Sequence, residues 1–198
     1  MKNLNICIDI DGTITEPDFW LEQAANYFGV KVSKEEFIHY EYHKALNISE
    51  EAYSKFYEEY KFEFHARDIL RKSAKEVISE FYENNKIYFV SARDKALEML
   101  TMSYLKNNEI PFDGLFVLGS HYKVKEAQRL KCDVFIEDNL NNALSLSEEG
   151  FKVLLMDTTY NQGELTPNIK RVYDWMDVLY EINKLIYSNH ISLAWKAV

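Results

Sequence analysis

The stretch Asp9-Ile10-Asp11-Gly12-Thr13 directly follows an apolar run at residues 4–8 and decides the fold of this chain. If a buried strand ends at Asp9, the glycine allows a sharp turn, because it adopts backbone conformations that other residues avoid. Such a turn would carry the carboxylate of Asp11 back over that of Asp9. Two like charges held this close are costly unless a cation neutralises them. A site of oxygen ligands therefore predicts a divalent metal, and Mg²⁺ in particular.

Further along the chain, short apolar strands alternate with amphipathic helices. Strands are predicted at residues 3–10, 86–92, 112–118, 133–137 and 152–156, and a final helix at residues 175–187. Helices are predicted between each pair of the last four strands. This alternation predicts an α/β fold, a doubly wound parallel sheet of the Rossmann-like type with helices on both faces.

The insertion between the first two strands is too long for a simple crossover. Helices are predicted from Pro17 to about Phe28, from the capping-box sequence Ser33-Lys34-Glu35-Glu36 onward, and from Ser49 onward. A fourth helix is predicted at about residues 68–84 and is placed with the core. We therefore expect a small helical cap at residues 16–67 and a Rossmann-like core made of residues 1–15 and 68–198.

The composition limits the partners and the location. The 198 residues suffice for one core with an insertion, and 47% of them are apolar. A net charge of −9 makes a nucleic acid polymer or an anionic membrane a poor partner. No run reaches membrane-spanning length and no signal peptide is visible, so we expect a cytoplasmic protein. The sequence leaves a monomer and a homodimer open.

Polar residues occur where the predicted strands end, the edge at which open parallel sheets bind ligands. These residues are, in chain order, Asp9 and Asp11, Ser91 with Ala92 and Arg93, Lys123 with Lys125, and Glu137 with Asp138. Together they offer a nucleophile, an acid/base, a hydroxyl, cations and a second acidic pair, as phosphoryl transfer requires.

Each of these residues also has an ordinary structural explanation. Asp11-Gly12 is a common turn pair, Ser91 could cap the following helix, and Glu137-Asp138 could complement a helix dipole. The lysines could be solvated charges on a helix surface. The joint order of the residues favours a functional site, because the structural explanations do not predict that order.

This order resembles the four motifs of the haloacid dehalogenase superfamily of phosphatases. Asp9-Ile10-Asp11-Gly12-Thr13 resembles the first motif, Ser91 the second, a lysine the third and Glu137-Asp138 the fourth. More narrowly, Ile136-Glu137-Asp138-Asn139 and the helical cap are similar to the 5′(3′)-deoxyribonucleotidases and their bacterial relatives. Many such relatives have two aspartates in the fourth motif, so Glu137 departs from the pattern.

The resemblance implies a Mg²⁺-dependent phosphomonoesterase that acts on (deoxy)nucleoside monophosphates. Asp9 would form an aspartyl-phosphate, and Asp11 would be the acid/base. The carboxylates of Asp9 and Asp138 and the backbone carbonyl of Asp11 would hold Mg²⁺. Glu137 would lie behind them or bind the metal through water.

The resemblance also implies which residues bind the phosphate group. Ser91, Ala92, Arg93 and Lys123 would bind the phosphate, with Lys125 as the alternative lysine. In the cap, Phe19 and Trp20 follow the first motif most closely and are the candidates for touching the substrate. A phosphosugar or another small phosphometabolite is the alternative substrate, and a catalytically silent binding module is the alternative function.

Overall fold

The computed structural model describes residues 4–196, and within them a single parallel sheet of six strands forms the centre. The strands are β1 (Asn5–Ile8), β2 (Lys86–Ser91), β3 (Gly114–Val117), β4 (Val134–Glu137), β5 (Lys152–Met156) and β6 (Ile169–Val172). They lie in the order β3-β2-β1-β4-β5-β6, and every pair is parallel. The order reverses between β1 and β4, so a ligand crevice is expected beyond their carboxyl ends.

Eight α-helices occur among the described residues. They are α1 (Leu21–Phe28), α2 (Tyr42–Ala45), α3 (Glu50–Ala66), α4 (Ala74–Tyr82), α5 (Glu98–Asn107), α6 (Val124–Arg129), α7 (Leu140–Glu148) and α8 (Trp175–Lys196). Two of them begin at side-chain caps: Ser49 accepts the N–H of Ala52 at 3.2 Å, and Asn139 accepts the N–H of Asn142 at 3.1 Å. Such caps satisfy backbone donors that the first turn leaves unpaired.

Both faces of the sheet are buried, as a doubly wound fold requires. Ile6 and Ile8 pack on one face with Ile78 of α4 and Trp175 of α8. Cys7, between them on the strand, packs on the other face with residues of α6 and α7. Successive strand residues point to opposite faces, which explains why β1 is a continuous apolar run. The predicted α/β fold is confirmed.

The insertion after β1 has its own hydrophobic cluster, which includes Leu21, Phe37 and Phe56. The chain leaves the core and returns to it at one place, where Thr15 and Leu70 form an antiparallel bridge. Beside the bridge, the N–H of Glu16 donates to the carbonyl of Ile69 at 2.8 Å. The division into a cap at residues 16–67 and a core stays a prediction.

Several predicted elements differ in the structure. The helix predicted from Ser33 is wrong: Glu36 does accept the N–H of Ser33 at 2.7 Å, but only a turn follows. Phe37 is then buried in the insertion's cluster and Tyr40 packs on Tyr160, and these contacts favour an irregular path. Helix α4 begins at Ala74 rather than 68, because the preceding residues pair with the chain that leaves β1.

Two elements were not predicted from the sequence. The short helix α2 is one, and the edge strand β6 is the other. In β6 the residues Lys170 and Arg171 separate two buried apolar residues, so the strand lacks an apolar run. None of the helices within residues 4–196 is long and apolar enough to cross a membrane.

Candidate active site

The loop after β1 is a tight turn that presents two aspartates differently. The N–H of Asp9 donates to the carbonyl of Ile136 at 2.9 Å, so β1 stays beside β4 up to this residue. Beyond it, the N–H groups of residues 13–15 all approach the carbonyl of Ile10, at 3.0–3.2 Å. Gly12 supplies the positive φ of +75° that this turn needs.

Neighbouring segments pack closely around this loop. A Cβ atom at Gly12 would lie 2.6 Å from the hydroxyl of Tyr160 and 2.8 Å from Cγ of Asp138. From the other side, the buried indole of Trp175 donates to the carbonyl of Thr13 at 3.2 Å. The loop therefore has no room for a side chain at position 12.

Asp9, Glu137 and Asp138 form the first of two clusters; all three are buried, and their carboxylate oxygens lie within 4.8 Å of one another. The ammonium of Lys123 lies 2.6 Å from Oδ1 of Asp9 and 3.1 Å from Oε2 of Glu137. Glu137 also accepts a short hydrogen bond from Asn142. Lys123 thus bridges Asp9 and Glu137. Asp138 instead accepts hydrogen bonds from Tyr160 and Thr13.

The charges of this cluster do not balance. Burial, followed by the negative charge of Asp9, raises the pKa of Asp138 to about 7 and raises the pKa of Glu137 well above its usual range. Burial alone would lower the pKa of Lys123, but the charges of Asp9 and Glu137 outweigh it and raise that pKa. Three carboxylates against one ammonium make a hard, oxygen-rich and electron-rich set of ligands, which fits a divalent cation such as Mg²⁺.

Asp11 lies in a second cluster and not over Asp9 as the turn argument predicts. Oδ1 and Oδ2 of Asp11 accept hydrogen bonds from Nη2 and Nε of Arg93 at 2.6 and 2.8 Å. Arg93 also makes a short ion pair with Asp68, and Nδ1 of His65 lies 3.5 Å from Oδ1 of Asp11. Burial alone would raise the pKa of Asp11, but Arg93 and His65 outweigh it and hold that pKa far below its usual range.

The other predicted phosphate ligands surround the same edge of the sheet. Ser91 ends β2 fully buried, and its hydroxyl accepts the N–H of Arg93 at 3.2 Å. Ala92 and Arg93 line the cavity described below. Lys123 precedes α6 and points into the first cluster, whereas Lys125 is exposed. The geometry therefore favours Lys123 over Lys125, and the assigned roles of all these residues stay predictions.

A cavity of about 410 Å³ lies between the loop after β1 and the insertion. Asp11, Gly12 and Asp138 lie at its core end, and Trp20 lies on its insertion side. The Trp20 ring stacks on that of Tyr42 with centroids 5.3 Å apart, and its indole N–H donates to Tyr53 at 3.2 Å. Of the two predicted substrate contacts, Trp20 lines the cavity, while Phe19 is not among the lining residues.

Sequence reasoning missed three residues of this region. Tyr160, in the loop after β5, donates a short hydrogen bond to Oδ2 of Asp138. His65 and Asp68 meet Asp11 from the C-terminal end of α3 and the segment that follows it. The rule that ligands bind at strand ends, applied to β5, would have indicated the region of Tyr160. The pair His65 and Asp68 carries no comparable local signal.

Solved structures place the fold. A haloacid dehalogenase-like hydrolase from Streptococcus pneumoniae superposes with a TM-score of 0.68 at 18% identity, covering 91% of this chain and 98% of that one. A haloacid dehalogenase-type hydrolase from Bacillus subtilis, solved with magnesium bound, gives a TM-score of 0.63 at 14% identity and covers 92% and 100%. The fold is that of the haloacid dehalogenase-like hydrolases.

A closer relative gives the family. No protein-family model matches the chain. A protein from Clostridium acetobutylicum named as a nucleotidase is 49% identical over 185 residues, which cover 93% of this chain and 96% of that protein. The chain belongs to the family of this nucleotidase, and it is a phosphoric monoester hydrolase with the fold of the haloacid dehalogenase-like hydrolases.

Proposed function

We propose that this enzyme is a Mg²⁺-dependent 5′-nucleotidase that hydrolyses (deoxy)nucleoside monophosphates through a phosphorylated Asp9. The observation that carries the proposal is the meeting of a carboxylate cluster and an aromatic-walled cavity at the carboxyl edge of the sheet. The carboxylate cluster suits phosphoryl transfer, and the aromatic walls of the cavity suit a flat, uncharged base. The nucleotidase name of the relative supports the same substrate class.

In this mechanism the carboxylate of Asp9 attacks the phosphorus atom and the ester oxygen leaves. Lys123, at 2.6 Å from Asp9, orients the nucleophile and neutralises charge on the phosphoryl oxygens. Asp11 must be protonated to act first as an acid, although Arg93 and His65 favour its ionised form. It then gives that proton to the leaving alkoxide and afterwards takes one from the water that hydrolyses the aspartyl-phosphate. Ser91 and the backbone around Ala92 bind the phosphoryl oxygens.

Asp9, Asp138 and the Asp11 carbonyl would hold the metal, with Glu137 behind them. Glu137 already accepts hydrogen bonds from Lys123 and Asn142, which supports a place behind the metal ligands. When bound, Mg²⁺ would neutralise the carboxylates and the phosphate and so allow two anions to approach each other. Tyr160 and Thr13 donate to Asp138 and would orient it.

The charge of the cavity supports a nucleoside over a second anionic group. Glu16, Glu41 and Glu50 line it, and Arg93 is the only lysine or arginine among the lining residues of the described chain. Arg93 is already paired with Asp11 and Asp68. A substrate with a second phosphate or a carboxylate would meet these three carboxylates, of which Glu41 is paired with Lys44 at 2.9 Å. A phosphosugar whose sugar carries no further charged group is the second candidate, because it adds no negative charge near these glutamates.

Phosphate release in Mg²⁺ from a panel of nucleoside and deoxynucleoside monophosphates, beside neutral phosphosugars, tests the proposal. We expect strong, base-dependent release, its loss in excess chelator and its return with Mg²⁺. Asp9→Asn is the control, and we expect a folded protein without turnover. Release from phosphosugars alone would discard the nucleotidase assignment, and substantial activity in Asp9→Asn would discard the nucleophile. Location in the cytoplasm stays a prediction, and both a monomer and a homodimer stay open.

A further inference from the structure

The carboxylate of Asp11 is held by residues that the phosphatase motifs do not include. We propose that His65, together with Asp68, positions the Asp11–Arg93 pair, so that helix α3 of the insertion sets the orientation of the acid/base. This inference rests on the proposed role of Asp11 in proton transfer. It does not depend on which phosphate ester is the natural substrate.

Arg93 fixes the plane of the Asp11 carboxylate. Its Nε and Nη2 donate to the two oxygens of Asp11, which is the two-pronged geometry that restrains both partners. Arg93 is itself restrained, because Nη1 donates to Thr101 at 3.2 Å and Nη2 pairs with Asp68. The side chains of Arg93 and Asp68 are each 1% exposed, whereas that of Asp11 is 30% exposed and borders the cavity.

His65 completes this network from the insertion. Its Nδ1 lies 3.3 Å from Oδ2 of Asp68 and 3.5 Å from Oδ1 of Asp11, and its Nε2 lies 2.9 Å from the hydroxyl of Tyr57. His65 and Tyr57 both belong to α3, two turns apart. The imidazole therefore bridges the two carboxylates that share Arg93, and α3 holds the imidazole.

A second metal at Asp11, His65 and Asp68 is the other use of these side chains, since their ligand atoms also lie within 4.8 Å of one another. The guanidinium of Arg93 already contacts both carboxylates of that set. A bound cation would have to displace it or lie beside its positive charge. The arrangement is that of a charge-balanced network and not of a metal site.

An acid/base acts only when it lies within hydrogen-bond distance of the atom that receives the proton. Misplacement by about 1 Å can cost on the order of 10²-fold in rate. Loss of His65 would free one side of both carboxylates and let the Asp11–Arg93 pair rotate. The rate should therefore fall for a leaving group that needs a proton and stay nearly unchanged for a leaving group that does not.

The test compares leaving groups in the full-length protein. An alkyl phosphate releases an alkoxide that needs a proton, whereas p-nitrophenyl phosphate releases a stable anion that does not. We expect His65→Leu to lower kcat/KM for alkyl phosphates about 10- to 100-fold, a part of the general-acid contribution, and to change kcat/KM for p-nitrophenyl phosphate less than about threefold. His65→Gln, whose amide can still donate, should recover part of the loss.

Lys61→Met is the matched control. Lys61 is also buried on α3 and joins it to the core through Asp94 at 2.7 Å, but it does not touch Asp11. We expect it to leave the ratio between the two substrate types unchanged, and thermal unfolding should verify that each variant folds. Equal losses on both substrates in His65→Leu, or the same selectivity in Lys61→Met, would overturn the inference.

Asp11→Asn separates this inference from the function on which it rests. It should show the full leaving-group selectivity if Asp11 is the acid/base. If Asp11→Asn shows that selectivity and neither His65→Leu nor Asp68→Asn does, the positioning network is wrong while the mechanism stands. If Asp11→Asn shows none, the proposed acid/base fails and the inference fails with it.

Discussion

Replacing Asp138 by asparagine should stabilise the metal-free protein, although it removes a proposed metal ligand. Asp138 is buried beside Asp9, and its pKa is raised from 3.8 to about 7. Keeping it ionised in the folded state is therefore unfavourable. An asparagine has nearly the same shape, and its carbonyl oxygen can still accept the hydrogen bond from Tyr160.

The magnitude follows from the two pKa values. Because the folded-state pKa lies above the unfolded value, this carboxyl opposes folding least below pH 3.8 and most above about pH 7. A difference of about 3 units, at about 1.4 kcal/mol each, corresponds to about 4 kcal/mol. The free energy of unfolding of Asp138→Asn should exceed that of the wild type by about 2 kcal/mol near pH 5 and by about 4 kcal/mol near pH 8.

Urea unfolding in excess chelator at these two pH values measures the effect, and thermal unfolding should show a gain of about 10 °C near pH 8. Asp157→Asn is the control, because Asp157 is paired with Arg171 at 2.8 Å and lies outside the cluster. Adding Mg²⁺ should stabilise the wild type and leave Asp138→Asn nearly unchanged. A variant no more stable than the wild type near pH 8, or one with an equal gain at both pH values, would refute the electrostatic reasoning.

Three further outcomes are expected. Gly12→Ala should abolish the stabilisation by Mg²⁺, because the added Cβ would clash with Asp138. The positive φ at this position should cost the variant about 1–2 kcal/mol more, the value for a left-handed residue, and calorimetry with and without Mg²⁺ checks both effects. Lys123→Met should lower the free energy of unfolding in urea by about 3–5 kcal/mol, since it leaves buried carboxylates unpaired. The control Lys125→Met, at an exposed position, should change it by less than about 0.5 kcal/mol, and equal effects of the two variants would contradict the pairing. Trp20→Leu should lower the free energy of unfolding in urea by about 2–3 kcal/mol, because the indole ring stacks on both Tyr42 and Phe64; an unchanged stability would contradict this packing.

The sequence predicted the parallel sheet and the residues at its carboxyl edge because both depend on local patterns. An apolar run such as residues 4–8 and a glycine at a turn act within a few positions of the chain. The partners of Asp11 do not: Arg93 is 82 residues away, so no local pattern could assign it. The same holds for the segment after Ser33, where packing of Phe37 in the insertion's cluster outweighed a good helix-start signal.

The contact between Trp175 and Thr13 has a consequence for the order in which the enzyme becomes competent. The loop at residues 9–13 is made early in synthesis, but the indole of Trp175, which donates to the carbonyl of Thr13, lies at the start of α8, 162 residues later. The neighbouring strand β4 and the loop that carries Tyr160 also come late. A growing chain therefore contains Asp9, the proposed nucleophile, long before it contains the segments that pack around this loop. A product truncated before residue 175 should be inactive and not a small, unselective phosphatase.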